Sequence, residues 1–123
     1  MNPTHLSIIA AWSLLILGIA HLLYALVEFK EPLLGAFRAG FVGKFAAPES
    51  CRTAFWFAMF AIPLTAAGHS AIHAATAGDL ALLRIIGYYV TIASIIGIAA
   101  FPKSPFPASL AVAAMLLAAG YGW

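Results

Sequence analysis

Four long apolar segments, separated by short polar stretches, take up most of this chain. They run over residues 5–29, 53–77, 80–101 and 108–123. A membrane-spanning helix needs about 20 mainly apolar residues, so each segment fits one crossing, the last one only barely. Charged residues make up 8% of the chain, against roughly a quarter in a soluble domain. So few charges cannot cover a surface that faces water. We therefore expect one all-α domain, an integral membrane four-helix bundle surrounded by the lipid bilayer.

The stretch between segments one and two, residues 30–52, predicts a short amphipathic helix. Leu33, Leu34, Phe37 and Phe41 can share one helical face there. A helix of this kind is expected to lie in the membrane interface. It forms either a gate over a cavity or a connector anchored by its aromatic side chains, and the connector is favoured.

The distribution of basic residues predicts the orientation in the membrane. The loops after segments one and three carry Lys30, Arg38, Lys44, Arg52 and Lys103, and the opposite side carries Arg84. The positive-inside rule then places the 30–52 stretch in the cytoplasm and both termini outside. No basic residue precedes Lys30, so a cleaved signal peptide is not expected and Met1 to Phe29 is retained. The net charge of +2 is too small to suggest a nucleic-acid partner.

One face of segment one is small and polar, which is typical of a helix-packing surface in lipid. This face carries Ser7, Ala11, Leu14, Gly18, His21, Ala25 and Glu28. It predicts that His21 points into the bundle beside Tyr24, while Glu28 reaches the boundary and pairs with loop cations. An ionisable group inside a membrane suggests function by default. For His21, hydrogen-bonded packing is favoured, and a haem ligand or a general acid/base remains the alternative.

Segments two and three carry the other candidate site residues. His69 and His73 follow a kink expected at Pro63, and their spacing places two imidazoles side by side, as in metal sites on helices. A structural role is favoured for the pair, with metal or haem binding and proton or quinone chemistry as alternatives.

Arg84 and Tyr88 form a polar stripe on segment three. Arg84 is expected to extend to the interface or to pair with Asp79, and binding of an anionic ligand is the alternative.

A haem bound by two histidines of one chain is not favoured. His21 and His69 differ in predicted depth by about 12 Å at 1.5 Å per helical residue, whereas two axial ligands of one iron need similar depths.

Three motifs resemble a family of small four-helix bacterial membrane proteins classed as a domain of unknown function. They are L-G-I-A-H-L-L-Y in segment one, R-T-A-F-W-F-A-M-F at the entry to segment two, and G-Y-Y followed by G-I-A-A-F-P at the end of segment three. The resemblance implies a four-helix bundle, and His21 is the only polar residue that it matches. We expect the chain to lie in a bacterial inner membrane. It implies no activity.

Two functions are expected from these residues. In the first, the bundle binds a lipophilic small molecule or haem through inward-facing histidines and tyrosines. His21 and Tyr24 would then be catalytic, and His69, His73, Arg84 and Tyr88 would bind the ligand, with His69 and His73 as candidate metal ligands. In the second, the chain is a non-catalytic accessory or structural subunit of a larger membrane complex. A homo-oligomer is expected in either case, because four short helices enclose little volume. A proton-coupled transporter is less favoured, because no acidic residue lies near the midplane.

Overall fold

The computed structural model describes residues 4–123, and every regular element in that part of the chain is a helix. The helices are α1 His5–Glu28, α2 Lys30–Arg38, α3 Glu49–Met59, α4 Ala61–Ala77, α5 Leu80–Ala100 and α6 Phe106–Gly120. The all-α prediction is confirmed. The sequence predicts that Met1 to Phe29 is retained. Met1 to Pro3, the start of that stretch, lie outside the described residues.

Helices α3 and α4 are two parts of one helix that is interrupted at Phe60. Pro63 explains the interruption. It lies one turn after Met59 and has no backbone N–H, so the carbonyl of Met59 lacks its helical donor, and the proline ring crowds the same carbonyl. The helix is therefore interrupted in the turn that precedes the proline at which the sequence predicts a kink.

The sharp connection between α4 and α5 is capped on both sides. Gly78 ends α4 in the left-handed conformation, with φ of 73°, which a residue without a Cβ adopts at no steric cost. The Asp79 carboxylate accepts a hydrogen bond from the backbone N–H of Leu82 at 2.9 Å and so caps the start of α5. This is the tight turn that Gly-Asp predicts.

The short helix expected between segments one and two is α2, and it ends earlier than predicted. Gly40 and Phe41 both have positive φ values, 114° and 66°, which are incompatible with a continuing helix. Phe41 therefore lies beyond α2 and not on its face. Its ring packs between those of Phe37 and Phe45, at centroid distances of 5.7 and 5.3 Å.

Two close seams hold the bundle together: α1 packs along α4, and α5 packs along α6. In the first seam, Gly68 of α4 lies against the backbone of Leu15, and Gly18 of α1 lies against Thr65. Neither glycine leaves room for a Cβ atom. Close backbone approach through small residues is the way helices associate where lipid is the solvent.

The second seam combines small residues with a hydroxyl contact. The Ser94 and Ser109 hydroxyls are 2.6 Å apart, and Gly97 lies beneath the ring of Phe106. The sequence predicts a small-residue contact through Ala93 and Gly97. Gly97 is buried, but Ala93 is exposed, and the next residue, Ser94, takes its place in the seam.

The interior is filled mainly by alanine and leucine. Its largest fully buried side chains are Leu14, Leu83 and Leu116. The inward stripe predicted for α1 is confirmed at Ser7, Ala11, Leu14, Gly18 and Ala25. Glu28, the last residue of that stripe, is exposed.

Among residues 4–123, three helical stretches are long and apolar enough to cross a membrane: His5–Glu28, Glu49–Ala77 and Leu80–Ala100. The second of these joins α3 and α4. Helix α6 has 15 residues and is thus about 22 Å long, against about 30 Å for the hydrocarbon core of a bilayer.

Candidate functional site

His21 is half-buried at the end of α1 that lies nearest α2. Its Nε2 atom lies 2.8 Å from the backbone carbonyl oxygen of Phe57 in α3. A carbonyl oxygen only accepts hydrogen bonds, so Nε2 is the donor in this contact, and a neutral ring would then have its lone pair on Nδ1. His21 therefore joins α1 to the turn of α3 that precedes the interruption at Phe60.

Aromatic rings surround the His21 imidazole and fix its orientation. The imidazole stacks on Phe57, with ring centroids 4.3 Å apart and planes 19° apart, and Phe60 meets its edge at 5.4 Å. Tyr24 and Phe29 pack on Phe57 at 5.8 and 5.0 Å. These contacts agree with the hydrogen-bonded packing favoured for His21. Tyr24 contributes its ring to this cluster but is 53% exposed.

Replacing His21 with leucine should lower the free energy of unfolding by about 1–2 kcal/mol. The variant loses the donor to the Phe57 carbonyl and the stacking contact. Titration with SDS in mixed micelles, followed by circular dichroism, measures the change. His21→Gln retains an N–H donor and should recover part of the loss. A His21→Leu protein as stable as the wild type would show that the contact with Phe57 does not stabilise the fold.

Two open grooves lie at the same end of the bundle. The first has a volume of about 460 Å³ and is lined by Glu49, Arg52, Thr53, Trp56 and Phe57. The second has a volume of about 280 Å³ and is lined by Leu26, Lys30, Leu33, Leu34 and Phe37. The second groove combines apolar side chains with the cation of Lys30, which suits a molecule with an apolar body and an anionic head. The first groove contains both Arg52 and the carboxylate of Glu49. The first groove adjoins the His21 ring, because Phe57 contributes to both.

Arg84 caps the end of α6. Its Nη1 donates to the carbonyl oxygen of Gly120 at 2.6 Å, and its guanidinium carbon lies 5.2 Å from the ring centroid of Tyr121. Gly120 is the last residue of α6, and the last carbonyls of a helix lack donors within it. A positive charge there also offsets the negative end of the helix dipole.

Tyr88 binds the same end of α6, because its hydroxyl hydrogen-bonds to that of Tyr121. The structural role favoured for Arg84 thus has Gly120 as its partner. Asp79, the partner considered from the sequence, caps α5 instead. Arg84 is half-buried and Tyr88 is exposed. Their role in ligand binding stays a prediction.

His69 and His73 are exposed on the outward face of α4, whereas the sequence favours histidines that point into the bundle. The difference arises from the seam with α1. Helix α4 turns Gly68 and Ala71 toward α1, because only residues this small permit the close approach of the two backbones. The adjacent imidazoles therefore lie outside.

The outward face of α4 forms a continuous stripe of small and polar residues. We call this face the α4 stripe, and it consists of Ala66, His69, Ser70, His73 and Thr76, all exposed. Within residues 4–123, the side-chain hydrogen bonds of the stripe are those of Ser70, to the Ala66 carbonyl at 2.8 Å, and of Thr76, to the carbonyls of Ile72 and His73. The hydroxyls are thus satisfied within α4. The two imidazoles are left for a partner from outside.

The histidine pair supplies two candidate metal ligands per chain. Over the described range 4–123, no three His, Cys, Asp or Glu side chains come together in a group that could hold a metal ion. A metal on His69 and His73 would thus need further ligands from elsewhere. Metal binding by the pair stays a prediction.

The sequence does not identify the hydrogen-bond acceptor of His21, the carbonyl oxygen of Phe57. The acceptor is a backbone carbonyl, and every residue has one, so no residue type marks it. The available signals were indirect: Pro63, which interrupts the helix nearby, and the aromatic run at the start of α3. The same limit applies to Gly120, whose carbonyl holds Arg84.

These features define the class of the protein. In the part of the chain that the structure describes, it is a small all-α bundle with an alanine-rich interior, three helices that could span a membrane, and a polar stripe on its outside. The chain belongs to the family of unknown function DUF6463, whose family model matches residues 5–123. The predicted membership of an uncharacterised family is thereby confirmed. No curated protein and no solved structure shows significant similarity to the chain.

Proposed function

We propose that this chain is a four-span inner-membrane protein that acts as a non-catalytic assembly subunit, with the α4 stripe as its docking face. One observation carries the proposal: His69 and His73 lie outside the bundle, while the interior is filled by alanine and leucine. A polar side chain that faces lipid without a partner is costly. A partner helix removes that cost by supplying hydrogen bonds, so a stripe of this kind favours association with other helices.

The outward faces of α1 and α5 support a membrane location. They expose large apolar side chains, among them Ile9, Ile16, Leu23, Ile85, Ile92 and Ile96, which are suited to contact with lipid. For α6, we propose a fourth crossing despite its length. A short span is accommodated by local thinning of the bilayer, and the exposed Phe101, Tyr121 and Trp123 fit the aromatic belts of the two interfaces.

The proposed topology predicts which positions a membrane-impermeant maleimide reaches. In a Cys51→Ser background, Trp123→Cys should react in intact spheroplasts, because the C-terminus lies outside. Lys44→Cys should react only after permeabilisation, because the basic 30–52 stretch lies in the cytoplasm. The reverse pattern would overturn the orientation, and labelling of both positions in intact cells would argue against an even number of spans.

The proposed assembly role predicts that the histidine pair determines the mass of the complex. The double variant His69→Leu/His73→Leu replaces both imidazoles with apolar side chains that suit contact with lipid. Its complex in detergent should therefore contain at least one subunit fewer, while the helical content stays unchanged. Light scattering coupled to size-exclusion chromatography measures the mass. The matched control is Ile92→Ala/Ile96→Ala, which changes two exposed α5 residues at the same spacing and should leave the mass unaltered. An unchanged mass in the histidine variant would refute the proposal.

A second candidate function is binding of a lipophilic molecule or haem beside His21, and the first groove favours it. Phe57 lines this groove and stacks on the imidazole. The Nδ1 lone pair of His21 would serve as ligand or base, because Nε2 donates to Phe57. A Soret band that disappears in His21→Ala would support the haem version. A colourless, metal-free preparation would contradict it.

A further inference from the structure

We infer that the partner of the α4 stripe is a second copy of this chain, packed about a twofold axis along the membrane normal. The inference rests on the proposed function, because it requires that the chain crosses a membrane and assembles there. It adds the identity of the partner and the register of the contact.

The outward faces of the helices differ in composition. Large apolar side chains cover those of α1 and α5, with Ile16 60% and Ile96 64% exposed. The stripe on α4 instead carries two imidazoles and the small residues Ala66 and Ser70, one turn apart. Small residues at this spacing permit a close approach of two helices, and polar side chains then bond across the contact. Lipid chains gain nothing from the small residues and cannot form hydrogen bonds with the imidazoles.

Small and polar residues also meet where the chain's own helices pack together. In the α1–α4 seam, Gly18 lies against Thr65. In the α5–α6 seam, the hydroxyls of Ser94 and Ser109 bond to each other. Small residues beside polar ones thus mark helix contacts in this protein. The α4 stripe has the same composition and no neighbouring helix among residues 4–123.

The hydrogen-bonding groups of the two imidazoles indicate which partner fits the stripe. A neutral imidazole has one donor and one acceptor, so two identical imidazoles are complementary and bring no net charge together. Copies inserted with the same orientation have their stripes at the same depth, and a twofold axis along the normal sets His69 beside His69 and His73 beside His73. An unrelated helix would need polar groups at both of these depths. A second copy of the chain has the same polar groups at the same depths.

Disulfide cross-linking in native membranes tests the contact. In a Cys51→Ser background, Ser70→Cys places the only thiol on the stripe. Oxidation should give a covalent dimer of twice the chain mass. The matched control is Ile85→Cys, exposed on α5 at a comparable distance beyond the Gly78–Asp79 turn, and it should remain monomeric.

The histidines are tested in the same assay. Adding His69→Leu and His73→Leu should reduce the Ser70→Cys dimer about tenfold, the loss expected from two interhelical hydrogen bonds.

The outcomes separate this inference from the proposed function. Equal cross-linking of Ser70→Cys and Ile85→Cys, or a dimer that is insensitive to the histidine changes, would overturn the second copy as partner. A Ser70→Cys adduct whose mass is not twice that of the chain would also overturn it, yet would leave the assembly role standing. A wild-type protein that is monomeric in the membrane would refute both.

Discussion

Replacing Gly68 with alanine is expected to separate α1 from α4 and to lower the free energy of unfolding by about 2–3 kcal/mol. An added Cβ at Gly68 would overlap the backbone of Leu15. Backbone atoms cannot rotate away as the end of a side chain can, so the two helices must move apart along their seam. That movement also disturbs the contact between Gly18 and Thr65 in the same seam.

The matched control for Gly68 is Gly35→Ala in α2. A Cβ at Gly35 would meet nothing within 4 Å, and alanine is the better helix former by roughly 0.5–1 kcal/mol. Gly35→Ala should therefore be neutral or slightly stabilising. Unfolding in mixed SDS micelles measures both variants. If Gly68→Ala were as stable as Gly35→Ala, the close approach of α1 and α4 would not hold the bundle together.

Replacing Arg84 with methionine is expected to lower the free energy of unfolding by about 2 kcal/mol. Methionine keeps the apolar stem that packs on Gly120 but removes the guanidinium group. The Gly120 carbonyl then loses a charged donor, which contributes about 1.5–3 kcal/mol, and the end of α6 loses a favourable charge. The ring of Tyr121 also loses its contact with the cation.

The control for Arg84 is Lys103→Met, which removes one positive charge at an exposed position outside the helices. It should leave the unfolding free energy within about 0.5 kcal/mol of the wild type. Hydrogen exchange adds a local measurement: in Arg84→Met, the amides of the last turn of α6 should exchange faster than those of α1. Equal stability of the two methionine variants would mean that Arg84 is not held by α6.

The orientation of α1 could be predicted from the sequence, whereas that of α4 could not. In α1, the small and polar residues lie on one side and the isoleucines on the other, so the inward face is unambiguous. In α4, small residues occupy one face and histidines the neighbouring face, and either could pack. Gly68 and His69 are adjacent in sequence, so a rotation of about 100° between successive residues decides which one enters the seam.

The candidate site was only partly predictable for a different reason. His21 and Arg84 were recognised because ionisable side chains are rare in apolar segments. Their partners are the backbone carbonyls of Phe57 and Gly120, which belong to distant parts of the chain and carry no residue-specific signal. Only the packing of α3 against α1, and of α6 against α5, brings these carbonyls within reach.

We propose that this bundle functions by assembly through its outer surface and not by chemistry in its interior. Native mass spectrometry of wild-type protein, extracted from its own membrane in lipid nanodiscs, tests this claim most directly, with an absorption spectrum taken from the same sample. We expect a discrete complex of more than one polypeptide, with no Soret band and no stoichiometric metal. A single chain that carries haem or a bound metal ion would contradict it.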